Sequence, residues 1–194
     1  MKVAVLGGSG KLGQGFAARL ARTTHEYVIG SRDPAKGRPN NEAARWCDAA
    51  VVAVPYHGHR ALLEPLGAAL TGKIVIDATV PLDPSNPLRL KTESGTSATE
   101  EAASFLKRSA VFSAFQTVSH RVLQHVDHTH DVLVAGPTER KSEVLELIRN
   151  MNLRPIDAGP LPIAGILESL TVLLISINKR NKVKESGIEI TGLA

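Results

Sequence analysis

The sequence predicts an α/β fold: a doubly wound, mostly parallel sheet with helices on both faces. Two observations carry this. Short apolar runs alternate with helical segments along the 194 residues, the pattern of repeated strand–helix–strand units. The first of these units also contains a glycine turn, Gly7-Gly8-Ser9-Gly10-Lys11-Leu12-Gly13, between the run Val3-Ala4-Val5-Leu6 and a helical stretch from Gln14 to Arg22. Gly8, Gly10 and Gly13 have the G-x-G-x-x-G spacing of a dinucleotide site. That spacing needs a tight turn at the first glycine, close approach of a pyrophosphate at the second and close helix-to-strand packing at the third. The helix N-terminus then directs free N–H groups and partial positive charge at phosphate. The expected architecture is therefore of the Rossmann type.

Strands are predicted over residues 2–6, 26–30, 49–54, 73–77, 110–114, 131–135 and 153–157, and helices over 12–22, 42–47, 58–71, 97–107, 138–150 and 163–179. The second strand ends in Gly30-Ser31-Arg32 with no carboxylate. An NAD site would place Asp or Glu there to accept from the ribose 2′-OH. Ser31 instead offers a hydroxyl, Arg32 a guanidinium fork suited to phosphate, and Lys36 a second cation. The dinucleotide is accordingly expected to be NADP. Pro34, Gly37 and Pro39 make a full helix and third strand implausible before the Ala49 run, which predicts a trimmed second crossover, a missing third strand and an open adenine side.

Val54-Pro55-Tyr56 and Val80-Pro81-Leu82 follow the third and fourth predicted strands, at the edge where open α/β sheets bind ligands. Tyr56 either packs against the dinucleotide or simply closes a strand. The stretch from Thr79 to Gly95, with Pro81, Pro84 and Pro87, reads as an extended surface loop, a ring-pocket wall or a mere connector.

Composition bounds the function. With 43% hydrophobic and 22% charged residues the chain is that of a globular domain. A net charge of +4 with only 4% aromatic residues suits anionic small molecules and speaks against nucleic acid. Cys47 stands alone, so no disulfide framework is expected, and its apolar neighbours suggest a buried thiol. The chain opens on a strand instead of a signal sequence, which predicts a cytoplasmic location. Leu161 to Ile177 is apolar but contains Pro162, Gly165 and Glu168, and is read as a core helix and not a membrane span. His120, His125, His128 and His130 lack regular ligand spacing and are not expected to bind metal. The basic run Lys179, Arg180, Lys182 and Lys184 either steers an anionic ligand or complements a helix C-terminus.

The chain resembles the F420-dependent NADP reductases. The matching pieces are the glycine turn, Gly30-Ser31-Arg32, Val54-Pro55-Tyr56 and Val80-Pro81-Leu82. They continue with Ser113-Ala114-Phe115-Gln116-Thr117-Val118, Asp157-Ala158-Gly159-Pro160-Leu161 and Leu167-Glu168-Ser169-Leu170-Thr171, so the likeness spans nearly the whole chain. The resemblance implies hydride transfer between NADP(H) and the deazaflavin coenzyme F420. It places phosphates at Gly8, Ser9, Gly10, Lys11 and Leu12 and the 2′-phosphate at Ser31, Arg32 and Lys36. The nicotinamide region falls to Val54, Pro55, Tyr56, Val80 and Leu82, with His120 and Ser186 near the reacting rings. It also implies a homodimer, with residues 1–136 as the NADP-binding domain and 137–194 as a small C-terminal region completing the sheet and the acceptor pocket. Such chemistry needs no protein nucleophile or obligatory general acid, and the Tyr-x-x-x-Lys couple of short-chain dehydrogenases is absent. Reduction of another flavin, a quinone or an imine, and non-catalytic NADP sensing, are the alternatives.

Overall fold

The computed structural model describes residues 1–193. In chain order the elements are β1 (Lys2–Leu6), α1 (Lys11–Leu20), β2 (Glu26–Ser31), β3 (Arg38–Pro39), α2 (Asn40–Trp46), β4 (Ala49–Val52) and α3 (His59–Leu63). They continue with β5 (Ile74–Asp77), β6 (Leu82–Asp83), β7 (Asn86–Leu90), α4 (Ala98–Phe105), β8 (Ala110–Ala114) and α5 (His120–Gln124). The last are β9 (Asp131–Ala135), α6 (Lys141–Asn150), β10 (Arg154–Gly159) and α7 (Ala164–Asn181). Eight strands form one sheet in the order β10-β9-β8-β5-β4-β1-β2-β3, parallel throughout except where β9 meets β8.

Alternation along the strands explains the double winding. Val3, Val5, Val51, Ile76 and Phe112 face one layer, formed by Phe16 and Leu20 of α1, Leu123 of α5 and Leu147 of α6. Ala4, Leu6, Val52, Val75 and Val111 face the other, against Ala43, Ala44, Leu63 and Ala102. Both faces are buried, so the strands read as continuous apolar runs. Cys47 is buried among the second set.

Three departures from the sequence reading have local causes. The second crossover is trimmed, but the expected loss of the third strand is not complete. After a short turn at Pro34–Lys36, Arg38 and Pro39 still pair with Gly30 and Ser31 as a two-residue edge. The helix expected over 58–71 stops at Leu63, because Pro65 has no N–H to donate and crowds the preceding turn. The proline-rich stretch contains a small hairpin, β6 with β7, tied at its tip by the Asp83 carboxylate accepting from the Ser85 amide and hydroxyl.

The segment Leu161–Asn181 is long and apolar enough by composition to cross a membrane, with mean hydropathy 1.8. As α7 it rests on the sheet through Leu167 and Leu170 against Leu133 and Ile156, yet Ile166 and Leu173 are more than half exposed. It is a core helix on one side only.

Arg19, 1% exposed, sits on the apolar stripe of α1. Its guanidinium donates to seven main-chain carbonyls: Val122, Leu123, His125, Val126 and His128 around the end of α5, and Met151 and Asn152 at the end of α6, at 2.9–3.3 Å. A lysine keeps the charge but not the fork. Arg19→Lys is expected to lower unfolding stability by about 2–4 kcal/mol, the cost of several carbonyls left without donors. Urea denaturation of the two proteins checks this.

Candidate functional site

A cavity of about 850 Å³ opens at the carboxyl ends of β1, β2 and β4. Gly7, Ser9 and Gly10 form one wall, Ser31, Arg32 and Lys36 a second, and Val54 and Pro55 its inner end. The glycine turn is built by contact. A Cβ on Gly13 would lie 2.1–2.4 Å from the backbone of Gly8, so the helix can approach the turn only without one. A Cβ on Gly10 would meet nothing within 4 Å and would project into open space beside the cavity. The protein does not need that glycine for its own packing, and the turn is left bare on its cavity side. Gly10 caps α1 with no side-chain bond and no acidic residue follows in the first turn, so the helix N–H groups stay available to an anion. The site therefore fits the phosphates of a dinucleotide.

At the end of β2, Ser31 is buried and its Oγ accepts from the Asp33 amide at 3.0 Å, which leaves the hydroxyl hydrogen free to donate. Arg32 is exposed and has no ion pair among the described residues. Lys36 pairs with Asp33 at 3.3 Å, and Asp33 also accepts from the Ala35 amide. The space beside Gly30 belongs to Asn40, whose Oδ1 accepts from the Gly7 amide at 3.1 Å. Asn40 and Asn41, with Ala61, Leu62, Pro65 and Leu66 of the α3 region, line the cavity's far side. The sequence reading passed over all of them. The trimmed crossover brings Asn40, the first residue of α2, to the glycine turn.

The remaining expected residues separate from this cavity. Gly8 is buried behind the turn, Lys11 and Leu12 open α1, and Val80 on the loop after β5 and Leu82 at the start of β6 are half-buried. Tyr56 does not line the cavity. Its hydroxyl donates to Glu101 Oε2 at 2.8 Å and accepts from the Glu93 amide at 2.7 Å, while its ring stacks on His59 with centroids 6.1 Å apart. Burial and the bond to Glu101 push its pKa up to about 12. Tyr56 is a strut between two loops. His120 opens α5 on the Ser119 cap, and Ser186 lies on the C-terminal segment held beside α5 by Glu185 with Arg121.

The sequence reading missed a buried polar cluster at the ends of β5 and β8. His59 Nε2 and Asp77 Oδ2 are 2.8 Å apart at 1% and 0% exposure. Glu168 of α7 accepts from the Ala98 and Thr99 amides, at the start of α4. Burial raises its pKa to about 8, against the pull of those two N–H donors. Burial disfavours the His59 imidazolium, but the Asp77 carboxylate outweighs it, so its pKa is raised. No pattern could have flagged this cluster, since its members lie tens of residues apart on three helices and two strands; only Glu168 inside an apolar run was a signal.

Because Glu168 keeps its proton in the fold, native protein binds more protons than unfolded chain between pH 4.5 and about 8. The stability this gives is full below the lower value and lost as pH rises through the upper one; His59 contributes with the same sign. At about 1.4 kcal/mol per pKa unit the loss is on the order of a few kcal/mol. Urea midpoints should fall across that window in the wild type and fall less in Glu168→Gln.

Residues 2–81 match the family model described as NADP oxidoreductase, coenzyme F420-dependent. The F420-dependent NADP reductase of Methanocaldococcus jannaschii is 36% identical over 222 aligned positions, covering 100% of this chain and 99% of that one. That of Methanothermobacter marburgensis is 35% identical, with the same coverage. The alignments exceed the 194 residues here, so these relatives carry segments this chain lacks. A crystal structure from Arthrobacter sp. FB24, provisionally described as an F420-dependent NADP reductase, superposes with TM-score 0.87 at 24% identity, covering 99% of this chain and all of the other. With its Rossmann-like sheet and full-length relatives, the chain belongs to the F420-dependent NADP reductase family of oxidoreductases.

Proposed function

We propose that the chain transfers a hydride between NADP(H), held at the glycine turn, and coenzyme F420. The observation that carries this is the basic rim at the end of β2, where Ser31, Arg32 and Lys36 share one cavity with the N-terminus of α1 and the carboxylate there, Asp33, is paired with Lys36. When bound, the two ring systems supply the redox chemistry, a hydride passing from one ring carbon to the other. The chain's residues bind, align and dry the rings. Backbone groups from Gly8 to Leu12 hold the pyrophosphate, and Ser31 and Arg32 donate to the 2′-phosphate with Lys36 adding charge. Val54 and Pro55, braced from behind by Tyr56, wall the nicotinamide with Val80 and Leu82, and His120 and Ser186 flank the acceptor. On this reading residues 1–136 carry NADP and 137–194 complete the acceptor pocket. The buried free thiol of Cys47 suits a reducing, cytoplasmic setting.

The oligomer belongs to the same reading. Ile166, Leu173 and Ile177 form an exposed stripe along α7 at helical spacing. We read it as the face of a homodimer, since a twofold axis can set one stripe against its own copy.

Three measurements test these assignments. Arg32→Ala should weaken NADPH binding by about 1.5–3 kcal/mol, the worth of a charge-assisted hydrogen bond, and leave NADH nearly unchanged. Equal loss for both nucleotides would remove the 2′-phosphate role, and absence of F420 bleaching by NADPH would remove the acceptor. Leu173→Asp should convert the species seen by sedimentation from dimer to monomer; a wild-type monomer would end the dimer reading.

A further inference from the structure

The cluster behind the loop after β5 has more polar atoms than bonds. Asp77 and Ser113 are register partners and present their side chains to the same side of the sheet. Five buried side-chain atoms around them have no partner: His59 Nδ1, Thr79 Oγ1, Thr99 Oγ1, Ser113 Oγ and Gln116 Oε1. Each belongs to a residue bonded to or paired with Asp77 or Glu168. His59, the Thr79 amide and the Gln116 side chain bond Asp77, and the Thr99 amide bonds Glu168. Leaving each atom unbonded would cost about 1–3 kcal/mol. A bridging water, making roughly three bonds, would satisfy several of them at once.

The hydride reaction is also incomplete without a proton. In the direction of acceptor reduction the C4–H bond of the dihydronicotinamide breaks with its electron pair. A C–H bond forms on the deazaflavin, and one proton joins a ring nitrogen. NADPH is oxidised, F420 is reduced, and one proton is consumed.

Resting on that reading, we propose that Glu168 and the His59–Asp77 pair hold this proton and exchange it with the acceptor pocket through water. The proton leaves the Glu168 carboxyl or the His59 imidazolium and is replaced from solvent; the reverse reaction returns it. The cluster sits where such a role requires. The Thr79 amide bonds Asp77 one residue before Val80, and Gln116 joins Asp77 to Thr171 of α7 through its side chain and carbonyl. The ionisable groups facing Glu168 are His59 from α3 and Asp77 from β5, together with the amides of α4. Glu101 of α4 faces His59 and is tied to Tyr56 and Ser94; Arg89 of β7, along α7, is exposed. Burial keeps Glu168 protonated near neutrality, with a pKa of about 8.

The test compares wild type, Glu168→Gln and His59→Gln; the first keeps an acceptor for the α4 amides and the second a donor for Asp77. Infrared titration of the free protein should show a protonated-carboxyl band that disappears at alkaline pH and is missing in Glu168→Gln. With NADPH and F420, kcat in each variant should drop at least tenfold, lose the alkaline limb of its pH profile and show a larger solvent deuterium effect, with NADPH affinity unchanged. A carboxyl that is ionised throughout, or variants with the wild-type pH profile and solvent effect, would overturn the proposal and leave the hydride reading intact. No F420 turnover by the wild type would overturn both.

Discussion

Arg19 brings a full positive charge into the interior, and no carboxylate among the described residues pairs with it. The compensation is main-chain. The ends of α5 and α6 converge on the guanidinium, and helix C-termini each carry roughly half a unit of negative charge. Burial still opposes the charge, with Arg22 adding repulsion, so the pKa of Arg19 is lowered from its usual value. The consequence is geometric. The helix whose N-terminus faces the glycine turn is locked at its far end to the helix that carries His120. A Cβ on Gly15 would stand 2.7 Å from Leu123, so α1 and α5 also touch without a spacer. Both candidate halves of the site are thus set by one helix. The histidine-rich segment after α5 owes its course to its carbonyls, not its imidazoles.

What the sequence made legible follows from where the information sits. Strand positions came through because burial on both faces forces continuous apolar runs, and the ends of β1, β8 and β9 agree with expectation to the residue. The glycine turn was legible because its demands are steric and local. Features set by distant partners were not. Asn40 reaches the cavity only because the crossover is short. Arg19 showed itself as no more than a charge on the stripe of Phe16 and Leu20, since every residue has the carbonyls it uses. The hairpin after β5 was hidden by prolines, which a short edge ladder tolerates.

The two regions of the candidate site solve opposite electrostatic problems. At the glycine turn, groups are left unsatisfied at the surface, where an arriving anion can take them. Around Asp77 they are left unsatisfied in the interior, where only protons and water can. Glu168 marks the contrast. Its carboxyl reaches from α7 to the start of α4, where N–H donors ordinarily hold a carboxylate ionised, and burial still wins. The neighbouring Glu101, tied by Ser94 and Tyr56, falls the other way although burial opposes it. Two carboxyls on facing helices therefore hold different protonation states near neutral pH, the condition for storing a proton beside a fixed charge.

The short crossover changes what encloses the candidate dinucleotide cavity. Little more than Arg38 and Pro39 remains of the usual third strand, so that side of the cavity is short, while Ala61, Leu62 and Leu66 give it an apolar side. Selectivity then falls on the rim. Asp33 stands there as a carboxylate in a proposed phosphate site, held by Lys36 and the Ala35 amide. A phosphate dianion and a carboxylate about 4 Å apart in water would repel by roughly 2 kcal/mol, and the Lys36 ammonium paired with Asp33 offsets part of that. A hydrogen bond from Arg32 to a dianion returns about 1.5–3 kcal/mol. Asp33 thus holds the turn that follows Ser31 and Arg32, with its charge already shared with Lys36.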